Sequence, residues 1–87
     1  MTDEETWELE ALIRAEGERG RLPAIVGNVA DDPRLVKAFR VLQSKGWLNL
    51  QINPQPHNQW TVILFKIEDE ATEGLKALRK KLAAELR

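Results

Sequence analysis

The stretch that decides the fold is residues 32–52, which read DPRLVKAFRVLQSKGWLNLQI. Asp32 is a favourable N-cap and Pro33 a favourable first helical residue, so this pair predicts the start of a helix. The helix is expected over residues 33–45, because Gly46 follows it as a helix terminator. After Gly46 the spacing of the apolar residues changes from about 3.6 to 2, which predicts a strand.

The predicted helix has one apolar face and one cationic face. Leu35, Ala38, Phe39 and Leu42 recur at helical spacing, so they are expected to turn inward. Between them lie the side chains expected to face outward: Arg34, Val36, Lys37, Arg40, Val41 and Ser44.

Two strands are predicted after this helix, and together they make a β-hairpin. Leu48, Leu50 and Ile52 alternate with polar residues, and residues 59–67 form a second run rich in β-branched and aromatic side chains. Residues 53–58, NPQPHN, contain two prolines that are expected to stop the ladder from extending. Because the second strand is apolar on both faces, something should cover the face that does not meet the helices.

Two more helices are predicted ahead of this unit. The first is expected over residues 6–15, where apolar residues recur at near-helical spacing, with Thr2 or Thr6 as its cap. The second is a short helix over residues 22–29, with Pro23 in its first turn.

A final helix is predicted over residues 69–87, capped by Asp69 or Thr72. We therefore divide the chain into a domain at residues 1–67 and a C-terminal helical segment at residues 68–87. Its apolar face is a narrow row of leucines, here called the leucine seam: Leu75, Leu78, Leu82 and Leu86. This seam is expected either to cover the core of the same chain or to form a dimer interface. We expect a homodimer, with these interface residues: Trp47, Trp60, Leu75, Leu78, Leu82 and Leu86.

Composition indicates one small domain of ordinary globular type. The chain has 87 residues, of which 43% are hydrophobic and 31% charged, and it has no cysteine. The acidic N-terminus lacks the features of a secretory signal, and no apolar run approaches the roughly 18 residues of a membrane span. We therefore expect a soluble cytoplasmic protein that needs no cofactor or metal. Because no catalytic constellation is supported by the spacing, we do not expect an enzyme.

Charge is distributed unevenly, although the net charge is only −1. Residues 1–18 hold seven acids and one arginine, residues 19–45 hold six bases and two acids, and residues 46–65 hold no formal charge. A basic block is typical either of a solvated face or of contact with nucleic acid.

Residues 22–52 resemble the helix-turn-helix and wing entry of bacterial and archaeal winged-helix regulators, with Leu42 four residues before Gly46. The resemblance implies an α+β winged helix: a three-helix bundle with a two- or three-stranded β-hairpin wing, plus the C-terminal helix. It implies a protein that binds double-stranded DNA and regulates transcription, with the helix at 33–45 in the major groove. The residues it implies at DNA are Arg19, Arg21, Arg34, Lys37, Arg40, Ser44 and His57.

The predicted hairpin tip departs from that family. Wings that contact DNA usually carry Arg or Lys, whereas residues 54–58 are PQPHN. An uncharged tip neutralises few phosphates, so it favours the alternative of a winged-helix module that binds protein through Trp47, Trp60, Val62 and the final helix. A third alternative, a regulator that senses an effector, requires an apolar pocket between helices or at a dimer interface.

Overall fold

The computed structural model describes residues 1–28 and 32–86. Along this part of the chain the elements are α1 (Asp3–Gly17), β1 (Ala24–Gly27), α2 (Pro33–Ser44), β2 (Leu48–Gln55), β3 (Gln59–Ile67) and α3 (Asp69–Glu85). The fold class is α+β, with a three-stranded antiparallel sheet in the order β1-β3-β2, and it is compatible with a winged helix. Val29 and Arg87, the ends of two predicted helices, lie outside the described residues.

β1 occupies the place of the predicted second helix, and that prediction is wrong. Ile25 pairs in antiparallel register with Ile63 of β3, and Gly27 pairs with Val62 after a register shift. The β-branched side chains of Ile25 and Val26 suit a pleated surface, and a glycine inside a strand often marks such an irregularity. Within residues 22–52 the described part of the chain holds one helix, where the resemblance implies two.

α2 confirms the prediction for its start and for its apolar face. The Asp32 carboxylate accepts a hydrogen bond of 2.8 Å from the backbone N–H of Arg34, and Leu35 and Phe39 are fully buried. Val36, predicted to face outward, is only 4% exposed. Since α2 packs against α1 as well as against β2 and β3, its buried face is wider than one apolar stripe. Gly46 follows with φ +77°, a conformation that favours glycine.

The predicted hairpin is present, but its first strand is longer than expected. β2 continues through Pro54, which pairs with Trp60. A proline is tolerated there because β2 lies at the edge of the sheet, where its missing N–H breaks no inner ladder. At the turn, His57 and Asn58 have φ values of 65° and 58°. Paired positive φ angles suit the twist of a hairpin.

α1 begins three residues earlier than predicted. Thr2 is its N-cap, and a capping box forms because Thr2 and Glu5 each accept a hydrogen bond from the other's backbone N–H. At the start of α3, neither predicted cap is correct. The N-cap is Glu68, which makes no side-chain capping bond, and the Thr72 hydroxyl instead donates to Glu16 at 2.6 Å.

One hydrophobic core joins the three helices to one face of the sheet. Its largest fully buried side chains are Leu12, Leu35, Phe39, Leu42, Val62 and Leu64. The opposite face, here called the outer sheet face, presents Ile25 and Phe65, which are 61% and 45% exposed, with the half-buried Ile63 paired to Ile25. The expected cover for this face is absent from the described residues.

An ion pair between Glu5 of α1 and Lys81 of α3 predicts a pH dependence of stability. The Lys81 ammonium donates at 2.8 Å and, with the Thr2 backbone, lowers the pKa of Glu5 from 4.5 to about 2. A lowered pKa stabilises the fold above pH 4.5, and this contribution is lost as the pH falls toward 2. We expect Glu5→Gln to flatten the loss of Tm between about pH 5 and about pH 2, because this range spans the ordinary and the lowered pKa of Glu5.

The matched control for Glu5→Gln is Glu70→Gln, since Glu70 also lies in the first turn of a helix. Thermal unfolding followed by circular dichroism across the acidic range gives Tm for each variant. A parallel decline of Tm in the wild type and in Glu5→Gln would show that the ion pair with Lys81 does not contribute to acid stability.

Candidate nucleic-acid interface

Lys37 and Arg40 are the cations that α2 presents most freely. They are three residues apart on the exposed side of the helix, so their side chains are neighbours. Within residues 1–28 and 32–86, no ion pair engages either of them. Both charges are therefore available to an anionic ligand.

Arg34 lies on the same helix, but its guanidinium is already engaged. It donates to both carboxylate oxygens of Asp32 at 3.0 and 2.9 Å, which holds the pKa of Asp32 at about 2 and raises the pKa of Arg34. The same guanidinium lies 4.8 Å from the centroid of the Trp7 ring. To bind a phosphate, Arg34 must share or leave these partners.

Arg19 and Arg21 are placed at the end of α1 and are also engaged. Arg19 donates to the carboxylate of Glu16 at 2.8 Å and to the hydroxyl of Thr72 in α3 at 2.7 Å, and its hydrogen bond lowers the pKa of Glu16. Arg21 forms an ion pair of 3.3 Å with Glu18. Both arginines therefore lie just after the C-terminal end of α1, and the hydrogen bond from Arg19 to Thr72 connects that end to α3.

A groove of about 520 Å³ separates α2 from β2. Arg40, Gln43 and Ser44 line its helical side, and Gln51 lies on its strand side. Gln43 connects the two elements, because its side-chain oxygen accepts a hydrogen bond of 3.0 Å from the backbone N–H of Leu50. The groove therefore combines one guanidinium with hydroxyl and amide groups, which suit hydrogen bonding to phosphates or base edges.

Arg40 and Ser44 were predicted from the sequence to contact DNA, whereas Gln43 and Gln51 were not. Both could have been found from periodicity: Gln43 follows Arg40 by three residues, and Gln51 alternates with inward-facing Leu50 and Ile52. The Ser44 hydroxyl donates to the backbone oxygen of Arg40 at 3.0 Å, which leaves its lone pairs as acceptors.

The hairpin turn carries His57, which is exposed. It stands at the far end of the hairpin, among residues without formal charge. The turn therefore offers hydrogen-bonding groups but little electrostatic attraction to a polyanion.

Most of the residues expected at a dimer interface are covered by their own chain. Leu75 is buried, and Leu78 and Leu82 pack against the core of their own chain, so most of the leucine seam is an intramolecular cover. Leu86 is 78% exposed. The homodimer stays a prediction, with this residue as the accessible member of the seam.

The two hairpin tryptophans do not form one patch. Trp47 precedes β2 and packs against Gly74 of α3, whereas Trp60 pairs with Pro54 near the turn. Val62, part of the protein-binding alternative, is 1% exposed and belongs to the core. The prediction that Trp47, Trp60 and Val62 form one protein-binding surface is therefore wrong.

The described residues contain no group of three His, Asp or Glu side chains that could hold a metal ion. None of their helices is long and apolar enough to cross a bilayer. A scan against family models and searches of curated proteins and of solved structures return no match to this chain.

Proposed function

We propose that this chain binds double-stranded DNA through the exposed face of α2 and regulates transcription as a winged-helix protein. The observation that carries the proposal is the pair of exposed cations Lys37 and Arg40, which no carboxylate neutralises in the described part of the chain. Cationic side chains on an exposed helix bind phosphates, and Arg also recognises guanine in the major groove.

The surroundings of this pair support the same proposal. Arg40 borders the α2–β2 groove, where Gln43, Ser44 and Gln51 add neutral donors and acceptors. Since Gln43 also fixes α2 to β2, helix and hairpin meet a duplex as one rigid unit. An uncharged turn then contributes hydrogen bonds rather than phosphate neutralisation.

The double variant Lys37→Ala/Arg40→Ala tests the proposal by fluorescence anisotropy with a labelled duplex. Each phosphate contact contributes about −0.9 to the slope of log K against log salt concentration, so the loss of two contacts is expected to reduce the slope by about 2. At low salt the same variant is expected to bind roughly ten- to a hundredfold more weakly, since each tenfold loss corresponds to about 1.4 kcal/mol.

The matched control is Arg79→Ala/Lys80→Ala, which removes one arginine and one lysine from the exposed side of α3. It carries the same net charge as the test variant, so nonspecific electrostatics affects both equally. Equal affinities and equal salt slopes in the two double variants would reject the proposed DNA-binding face.

The outer sheet face favours protein binding as a second candidate function. Ile25 and Phe65 are exposed there, next to the half-buried Ile63. An apolar patch of this kind is typical of contact with another macromolecule. The face lies on the side of the sheet away from the core, and it adjoins the α2–β2 groove because Gln51 pairs with Ile63. A wild-type chain that fails to bind the duplex at low salt would leave protein binding as the better hypothesis.

A further inference from the structure

A cleft lies between α1 and α2, on the edge of the proposed DNA-binding face. It is lined by Asp3, Glu4, Trp7 and Glu8 from α1 and by Arg34, Lys37, Ala38 and Val41 from α2. Its volume is about 420 Å³, which falls within the range of roughly 300–1,000 Å³ that is usual for small-molecule sites. We refer to it as the α1–α2 cleft.

The floor of the α1–α2 cleft is apolar. Ala38 contributes only a methyl group and is 4% exposed, and Val41 is half-buried beside it. The Trp7 ring is held by the Arg34 guanidinium, 4.8 Å from its centroid, and Asp32 in turn holds Arg34. This contact favours the observed orientation of the indole, although Arg34 itself is largely exposed.

The two walls of the α1–α2 cleft carry opposite charges. Asp3 and Glu4 make the α1 wall acidic, while Arg34 and Lys37 make the α2 wall basic. Arg34 is already paired with Asp32, whereas no ion pair within the described residues joins Lys37 to Asp3 or Glu4. Glu8 also lines the cleft, but its carboxylate accepts from Lys45 at 2.9 Å. An ammonium group is thus favoured at one wall and a carboxylate at the other.

We propose that the α1–α2 cleft binds a small zwitterion with an apolar body, and that the bound zwitterion competes with DNA for Lys37. The apolar body contacts Trp7, Ala38 and Val41, the ammonium faces Asp3 and Glu4, and the carboxylate faces Lys37. The competition rests on the proposed function, because it requires Lys37 to contact the duplex. Binding of the zwitterion itself does not depend on DNA.

Calorimetric titration of the DNA-free chain with L-phenylalanine and with L-leucine tests the site. We expect at least one of the two amino acids to bind. Its N-acetyl derivative, which lacks the ammonium, and its amide derivative, which lacks the carboxylate, are each expected to bind at least tenfold more weakly. Lack of binding by both amino acids, or equal binding of the blocked forms, would overturn the assignment.

Two charge-removing variants and one control locate the ligand. Lys37→Gln and Asp3→Asn/Glu4→Gln are each expected to weaken binding of the zwitterion at least tenfold. The first removes the cation of the α2 wall that has no ion-pair partner in the described residues, and the second removes both acids proposed to face the ammonium. Arg40→Gln is the control, since Arg40 lies on α2 but lines the other groove. Equal weakening by Arg40→Gln would place the ligand elsewhere. In Trp7→Phe, we expect the ligand-induced change in tryptophan emission to be lost.

Anisotropy with the labelled duplex then tests the competition separately. Saturating zwitterion is expected to weaken DNA binding by the wild type at least fivefold, a typical coupling between sites, and to leave the residual binding of Lys37→Gln unchanged. If the zwitterion binds but the affinity for DNA stays the same, the proposed competition is rejected, whereas the proposed zwitterion site is retained. If DNA does not bind at all, the calorimetric result still decides the site.

Discussion

Replacing Phe39 by alanine is expected to cost about 3–5 kcal/mol of the free energy of unfolding. Phe39 has no exposed surface and lies in the core cluster with Leu12, Leu42 and Leu64. Small domains have stabilities near the lower end of roughly 5–15 kcal/mol. Urea denaturation at 25 °C should therefore show a Phe39→Ala chain that is partly or wholly unfolded before denaturant is added.

The chain supplies its own control, because its second phenylalanine lies on the outer sheet face. Phe65 is 45% exposed, so Phe65→Ala deletes the same atoms but leaves no closed cavity. We expect this substitution to cost less than about 1.5 kcal/mol, in line with a partly exposed side chain. Equal losses in the two variants would show that Phe39 does not occupy the centre of the core.

Local chemistry was sufficient to predict α2 and the hairpin that follows it. The Asp32–Pro33 pair sets the helix start through a side-chain cap and a fixed φ, and both act within a few residues. The change from helical to alternating spacing after Gly46 is likewise local. Features of this kind do not depend on the rest of the fold, so sequence reveals them.

β1 was missed because its signals conflict. Pro23 suits the first turn of a helix, but it also suits a position ahead of an edge strand. Ile25 and Val26 favour a strand, yet four residues are too few to show a period. What decides the segment is pairing with β3, about 40 residues later in the chain, and a single sequence does not contain that information.

The placement of the cations in the candidate site also depends partly on local sequence and partly on distant contacts. That Lys37 and Arg40 face outward follows from helical periodicity alone, since Leu35, Phe39 and Leu42 define the buried side. That Arg34 contacts Trp7, and that Lys45 binds Glu8, depends on how α1 crosses α2. These two contacts come from tertiary packing, whereas the ion pairs of Arg34 with Asp32 and of Arg21 with Glu18 are local.

Substituting alanine for Gly74 is expected to destabilise the fold, although alanine is normally about 1 kcal/mol better than glycine inside a helix. A Cβ on Gly74 would lie 3.0 Å from Cε3 of Trp47 and closer still to two other atoms of that ring. The ring has little room to shift, because Trp47 also packs against the hydrophobic core. Overpacking of this kind costs about 1–3 kcal/mol, so urea denaturation should show a net loss.

The Trp47 ring is the specific cause, and a double-mutant cycle isolates it. In a Trp47→Ala background the ring is absent, so Gly74→Ala should become stabilising by about 0.5–1 kcal/mol, as helix propensity alone requires. Gly17→Ala is the matched glycine control, since nothing lies within 4 Å of its added Cβ. A loss at Gly74 that persists without Trp47 would mean that α3 does not close over this ring. Reversal of the sign would establish that the glycine is what allows α3 to cover the start of the hairpin.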